Sequence, residues 1–252
     1  MAKHVYKIFF IYSFTMKIAF LIPCKSDLNW IKLEDSILYK NTLSSFKPEK
    51  NHKYFFFIGY DHDDFFYIDH KKELQKKFPN FKFRFIAFPQ DVLKGHLTRM
   101  WNILYQEALR DKKIFIDYFY QCGDDIIFKT NGWVKDCINA LKNNNNIGIV
   151  GPKNDHPYLL TQAMVSRVHF EIFQFLFPEY IFNWGCDDWI NLVYEQNNRF
   201  ILTNHVCINN GGPPRYETKN YNITSLKRKV GEKANQERIK LNTFLAEKVH
   251  IS

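Results

Sequence analysis

From Lys17 onward, apolar runs of strand length alternate with amphipathic stretches of helix length, the pattern of parallel strands covered by helices. The chain therefore reads as an α/β fold. Residues 18–22 form a first buried strand ending at Pro23, and Asp27 or Asn29 is placed to cap a helix running through Tyr39. Residues 53–58 form a second strand, closed by Gly59 and an acidic loop with Asp61, Asp63 and Asp64. Residues 65–78 read as helix and 81–87 as a third strand. Residues 96–109 form a helix whose apolar positions include Leu97, Met100, Trp101, Leu104 and Leu109. A fourth strand, 118–121, runs into Cys122-Gly123-Asp124-Asp125. Residues 133–141 are then helical, and 147–150 are a strand ended by Gly151-Pro152.

The second half changes character. Residues 159–165 lead into an aromatic-rich helix over 168–177, followed by Trp184-Gly185-Cys186-Asp187-Asp188-Trp189. Residues 200–208 read as a last strand, and Gly211-Gly212-Pro213-Pro214 breaks the chain before a basic tail. With 252 residues, 46% of them apolar, the chain can bury one large core, while two full domains would be cramped.

Five scattered cysteines without CxxC spacing argue against a disulfide framework and structural zinc, and fit a reducing compartment. The formal charge of +9 calls either for an anionic partner or for nothing beyond a solvated surface. Much of the excess follows Arg215. The tail, 216–252, is read as a helix that covers the core and brings a cation such as Lys227 to a phosphate, or as a plain solvated face. The apolar run 8–14 is far shorter than the roughly 20 residues of a membrane span. Because Met16-Lys17-Ile18-Ala19-Phe20-Leu21-Ile22-Pro23 reads like the opening of a domain, residues 1–15 are expected to be a peripheral extension, with an anchor as the other reading. A cytoplasmic protein without a membrane span is the corresponding expectation.

Two acidic pairs sit where a parallel-sheet enzyme would use them. Asp124 and Asp125 follow a predicted strand at its carboxyl end, the edge where open α/β sheets bind ligands, and Gly123 allows close backbone approach. Carboxylates are hard oxygen ligands suited to Mg²⁺ or Mn²⁺, and such a cation would neutralise charge on a diphosphate leaving group. A solvated turn is the other reading of the same pair. The second pair, Asp187-Asp188, opens a predicted helix, where acids also favour the dipole.

The string Gln121-Cys122-Gly123-Asp124-Asp125-Ile126-Ile127-Phe128 resembles the DxD region of GT-A fold glycosyltransferases, with Gly123 standing in place of the motif's usual first acid. The resemblance runs from about Met16 to Arg215. It implies a mixed, mainly parallel central sheet with flanking helices, a nucleotide-binding half to about residue 152 and an acceptor-side half after it. It further implies Asp125 as the direct metal ligand with Asp124 supporting the metal or ribose. Pro23, Cys24 and Lys25 become a nucleotide-binding loop, with Asp61 at the base or ribose and Arg99 near the uracil or diphosphate. Arg215 is a diphosphate candidate and His205 a further metal ligand. Asp187-Asp188 supplies the catalytic base, with Asp188 favoured as the second member of the pair.

The implied function is metal-dependent transfer, with inversion, from a nucleotide-diphosphate sugar, UDP-sugar first, to a glycan or other hydroxyl acceptor. Two rivals remain: a catalytically silent nucleotide- or sugar-binding module, and a polymerase fragment suggested by Gly123-Asp124-Asp125. Against the second, too little chain remains for fingers and thumb, and no nucleic-acid-binding signature is present.

Overall fold

The computed structural model describes residues 15–156, 158–216 and 223–249. The extension expected over 1–15 lies outside them except for Thr15. Eight strands form one sheet in the order β3-β2-β1-β4-β7-β6-β8-β5. They are β1 (Met16–Cys24), β2 (His52–Asp61), β3 (Lys82–Phe88), β4 (Tyr118–Gln121), β5 (Ile126–Phe128), β6 (Ile149–Lys153), β7 (Ala163–Ser166) and β8 (Phe200–Asn209). Pairs β1·β2, β2·β3, β1·β4 and β6·β8 are parallel, whereas β7 runs antiparallel between β4 and β6, and β5 runs antiparallel to β8. The helices are α1 (Phe65–Lys77), α2 (Leu97–Arg110), α3 (Trp133–Asn143), α4 (Val168–Phe173), α5 (Cys186–Tyr194) and α6 (Ile223–Val249).

The near-continuous apolar run of β1 reflects burial on both faces, as a central parallel strand requires. Its two-residue period divides the core. Ala19 and Leu21 join Phe55 and Phe57 of β2 beneath Met100, Leu104 and Ala108 of α2. Ile18, Phe20 and Ile22 face the other way, where Phe20 stacks on Phe56 with centroids 4.8 Å apart and meets Phe46, Tyr120 and Trp133 edge-on. A fully buried Phe contributes about 2–3 kcal/mol over its exposed state, so this aromatic stack fixes the centre of the sheet. The five cysteines are all buried free thiols.

Two helices differ from expectation. No helix starts at Asp27, because its carboxylate accepts the Asn29 backbone N–H at 2.9 Å and closes a local turn instead. Two short helical segments, Leu33–Asp35 and a wide one over Leu38–Leu43, follow. The helix expected over 168–177 stops at Phe173, where Gln174 turns left-handed with φ 65°. The chain beyond it lays Phe175 and Phe177 against Trp189.

The basic tail contributes α6, which packs Val230, Ala234 and Leu241 into the core and leaves Lys227 exposed. Among the described residues no helix is long and apolar enough to cross a membrane.

Candidate active site

The chain leaves β1 toward β2 on one side and later places β4 on the other, so a crevice opens where the carboxyl ends of β1 and β4 diverge. A cleft of about 500 Å³ lies there. Its walls are Pro23 at the end of β1 and Lys25 just after it, Gly123 to Asp125 after β4, Asn183, Trp184 and Asp187 around the start of α5, and segment 211–216 after β8. Members of both acidic pairs, far apart in sequence, thus face one cavity.

The acidic turn is held from several sides. Thr42 Oγ1 accepts the Ile126 N–H at 3.1 Å and lies 3.4 Å from the Gly123 carbonyl, and Trp101 Nε1 donates to the Cys122 carbonyl at 3.4 Å. Asn210 N–H donates to the Asp125 carbonyl at 2.9 Å, and Asn41 Nδ2 reaches the Asn210 carbonyl at 2.9 Å. The β5·β8 pairing therefore folds segment 211–216 over the turn. There Gly123 and Gly211 flank the Asp125 carboxylate so closely that a Cβ on either would overlap one of its oxygens.

The two acids have different partners. Asp124, 4% exposed at its side chain, makes a bidentate pair with Arg215, with Nη1 to Oδ2 at 2.8 Å and Nη2 on Oδ1. Arg215 also donates to the Lys25 carbonyl and lies over the Trp30 ring at 5.6 Å. No cation pairs with Asp125 among the described residues, and burial, then the neighbouring Asp124 charge, pushes its carboxyl up to about 6.

This electrostatic state fits a divalent cation. A part-buried carboxylate with no counter-charge would be relieved by one, and Mg²⁺ or Mn²⁺ characteristically takes one or two carboxylates plus substrate phosphates. No group of three or more potential ligating side chains converges among the described residues.

On one side of the cleft, Lys25 Nζ lies 4.5 Å above the Tyr216 ring. The buried Tyr216 hydroxyl approaches Asp61 without completing a hydrogen bond to a described residue, and burial raises the Asp61 pKa. Cys24 is buried behind the loop. On the opposite side, Asp187 Oδ1 accepts the Asp188 N–H at 3.0 Å, and burial, then the Asp188 charge, raises the Asp187 pKa. Trp184, 59% exposed, stands beside Asp187 on the cleft wall, and His156 lies in the same cleft.

Several expected residues are not brought together. His205 is held between Thr130 Oγ1 at 3.1 Å and Asp136 Oδ2 at 2.8 Å and does not line the cleft. Arg99 pairs with Asp91 at 2.5 Å, so Leu97 and Trp101 are the residues that α2 presents to the cavity. Lys227 and Asp188 are likewise absent from the lining. Asn41, Thr42, Asn183 and Tyr216 carry no functional signal in the sequence, and Gly211 stands out there only as part of the Gly211-Gly212-Pro213-Pro214 break.

Breaking the buried pair has a calculable consequence. Arg215→Ala leaves the Asp124 carboxylate buried without a partner and is expected to lower stability by about 3 kcal/mol, read as a fall in the thermal or denaturant midpoint.

No protein-family model matches the chain, and no curated protein sequence matches it. Its fold is similar to solved structures. A mannosyltransferase from Pyrobaculum calidifontis, PcManGT, in complex with GDP-Man and Mn²⁺, aligns with TM-score 0.56 and 12% identity over 85% of this chain and 61% of that one. S. aureus TarS aligns with TM-score 0.51 and 10% identity over 79% of this chain and 37% of its own. TarS 1–349 in complex with UDP-GlcNAc aligns with TM-score 0.51 and 10% identity over 88% and 66%. The chain thus spans less than two thirds of each of these proteins. With the parallel strands β3-β2-β1-β4 on one side of the sheet, the mixed set β7-β6-β8-β5 on the other and helices flanking it, the chain has a GT-A-type α/β fold like that of these solved structures.

Proposed function

We propose that this chain transfers a sugar from a nucleotide-diphosphate donor to a hydroxyl acceptor with inversion at the anomeric carbon. The reading rests on one observation above all: Asp125, without a counter-cation, and Asp187, with a raised pKa, line the same cleft. The catalytic unit is taken as residues 16–215, its nucleotide half reaching to about 152. Similarity to a fold that holds GDP-Man in one protein and UDP-GlcNAc in another supports the donor class.

In this mechanism Tyr216, Lys25 and Asp61 bind the nucleoside end. Asp125 would hold Mn²⁺ or Mg²⁺, which when bound supplies charge neutralisation on the diphosphate leaving group. Arg215, fixed by Asp124, presents its remaining guanidinium edge to the same region and keeps Asp124 from competing for the cation. Asp187 accepts the acceptor hydroxyl's proton as that oxygen bonds to the anomeric carbon and the bond to the diphosphate breaks. Asp187 therefore takes the role that the sequence pattern favoured for Asp188.

The test is thermal shift with UDP, GDP and CDP, each with and without Mn²⁺, followed by turnover of the matching nucleotide sugars. Metal-dependent stabilisation by one nucleotide together with sugar transfer or hydrolysis is expected. Stabilisation without turnover would identify a silent binding module, and stabilisation by RNA alone would overturn the donor site.

A backbone-level check is independent of charge. Gly211→Ala, at a position whose φ is not left-handed, is expected to fold normally but to displace the Asp125 carboxylate. Metal-dependent nucleotide affinity should fall by about tenfold, as loss of one polar contact does, measured by titration calorimetry.

A further inference from the structure

A second cavity, of about 410 Å³, lies between α2, segment 175–180 and α6, apart from the cleft. Its apolar walls include Phe175 and Tyr180, a residue 40% exposed whose ring has Lys229 Nζ 5.5 Å above one face. Asn102, Gln106, Glu179, Lys233, Gln236 and Glu237 are its polar lining. We propose that this cavity binds a neutral saccharide.

The chemistry decides between ligand classes. Aromatic rings offer flat faces to the C–H side of a sugar, while amides donate and carboxylates accept from its hydroxyls. Gln106 makes no side-chain hydrogen bond to a described residue. Lys233 Nζ occupies the Gln236 carbonyl at 2.9 Å, leaving that amide's NH₂. Glu237 Oε2 is buried and ion-paired with Lys240 Nζ at 2.7 Å, which leaves Oε1, without a hydrogen bond to a described residue, as the acceptor. Lys240 is paired with Glu237, Lys229 lies over the Tyr180 ring and Lys233 is bound to Gln236, so the walls offer a phosphate or other anion no cluster of free cations, and this array of polar groups disfavours an apolar ligand.

The site is also preformed. Asn102 Oδ1 accepts the N–H groups of Leu176 and Phe177 at 3.0 Å, and its Nδ2 donates to the Phe177 carbonyl at 2.8 Å, which fixes segment 175–180 to α2. The same loop continues to Asn183 and Trp184 in the cleft wall, so the two cavities share one structural support. Binding here does not depend on transfer chemistry, so its failure and failure of the transferase reading are separate results.

The experiment is saturation-transfer NMR and titration of the full chain with chitotetraose and with mannotetraose. At least one is expected to bind at millimolar concentration, with or without saturating UDP and Mn²⁺, and with transfer to the probe from the Tyr180 ring protons. Gln106→Ala and Tyr180→Ala are each expected to weaken binding by about tenfold without changing nucleotide binding. The proposal is overturned if neither saccharide binds, if nucleotide displaces it, or if both variants bind as the wild type does. Should a variant unfold, transfer from the Tyr180 ring in the unsubstituted protein upholds the proposal and its absence overturns it.

Discussion

Asp187→Asn is expected to lower sugar transfer by about 10³-fold while leaving metal-dependent donor binding within about twofold of the unsubstituted protein. The amide keeps the shape of the carboxylate and can still accept the Asp188 N–H, but it cannot take the acceptor's proton. Burial and the adjacent Asp188 charge raise the Asp187 pKa, so the acid limb of the kcat/KM profile should lie above the ordinary carboxylate range and vanish in the variant. Asp188→Asn should retain most turnover, since Asp188 does not line the cleft. Loss of transfer in Asp188→Asn with activity preserved in Asp187→Asn would reverse the assignment.

That choice between adjacent acids illustrates what a linear pattern can resolve. Ile18 to Ile22 and residues 53–58 declare themselves as central strands because burial on both faces demands an unbroken apolar run. The apolar stripe of α2 at Met100, Leu104 and Ala108 is equally explicit. The direction of β7 is not, because four residues with no alternation carry no information about which neighbour they join. Segment 27–39 misleads for a local reason. Asp27 is as good at closing a turn as at capping a helix, and the structure leaves Leu28 and Ile31 exposed at 103% and 86%.

In the site, the acidic pairs were legible since strand ends and helix starts are local features. Partner choice was not, because it depends on contacts far apart in sequence. Arg215 reaches Asp124 across 91 residues and excludes it from the orphan role left to Asp125. His205 lies on β8, yet its ring points to Thr130 and Asp136, a difference of strand face that sequence position near Asn209 did not reveal. Thr42 lies beyond the helix expected through Tyr39 and carries no signal until Ile126 is folded onto its hydroxyl.

Asp125→Asn is expected to abolish metal-dependent nucleotide binding, by at least about 10²-fold, and yet to make the unliganded protein more stable at pH 7. Both follow from the same uncompensated carboxylate. Its folded pKa, about 6, stands above the ordinary 3.8, so the folded state carries an electrostatic penalty above pH 6 that fades as pH falls through 6 toward 4. The amide removes that penalty, so the melting temperature of the variant should exceed that of the wild type at pH 7 and converge with it near pH 4. In the wild type, protonation competes with the cation, and nucleotide affinity in Mn²⁺ should drop about tenfold per pH unit below 6. Calorimetric titration and melting curves across pH 4–8 measure both limbs. Wild-type affinity in Asp125→Asn would remove the cation from this site and leave Arg215 as the group that neutralises the diphosphate.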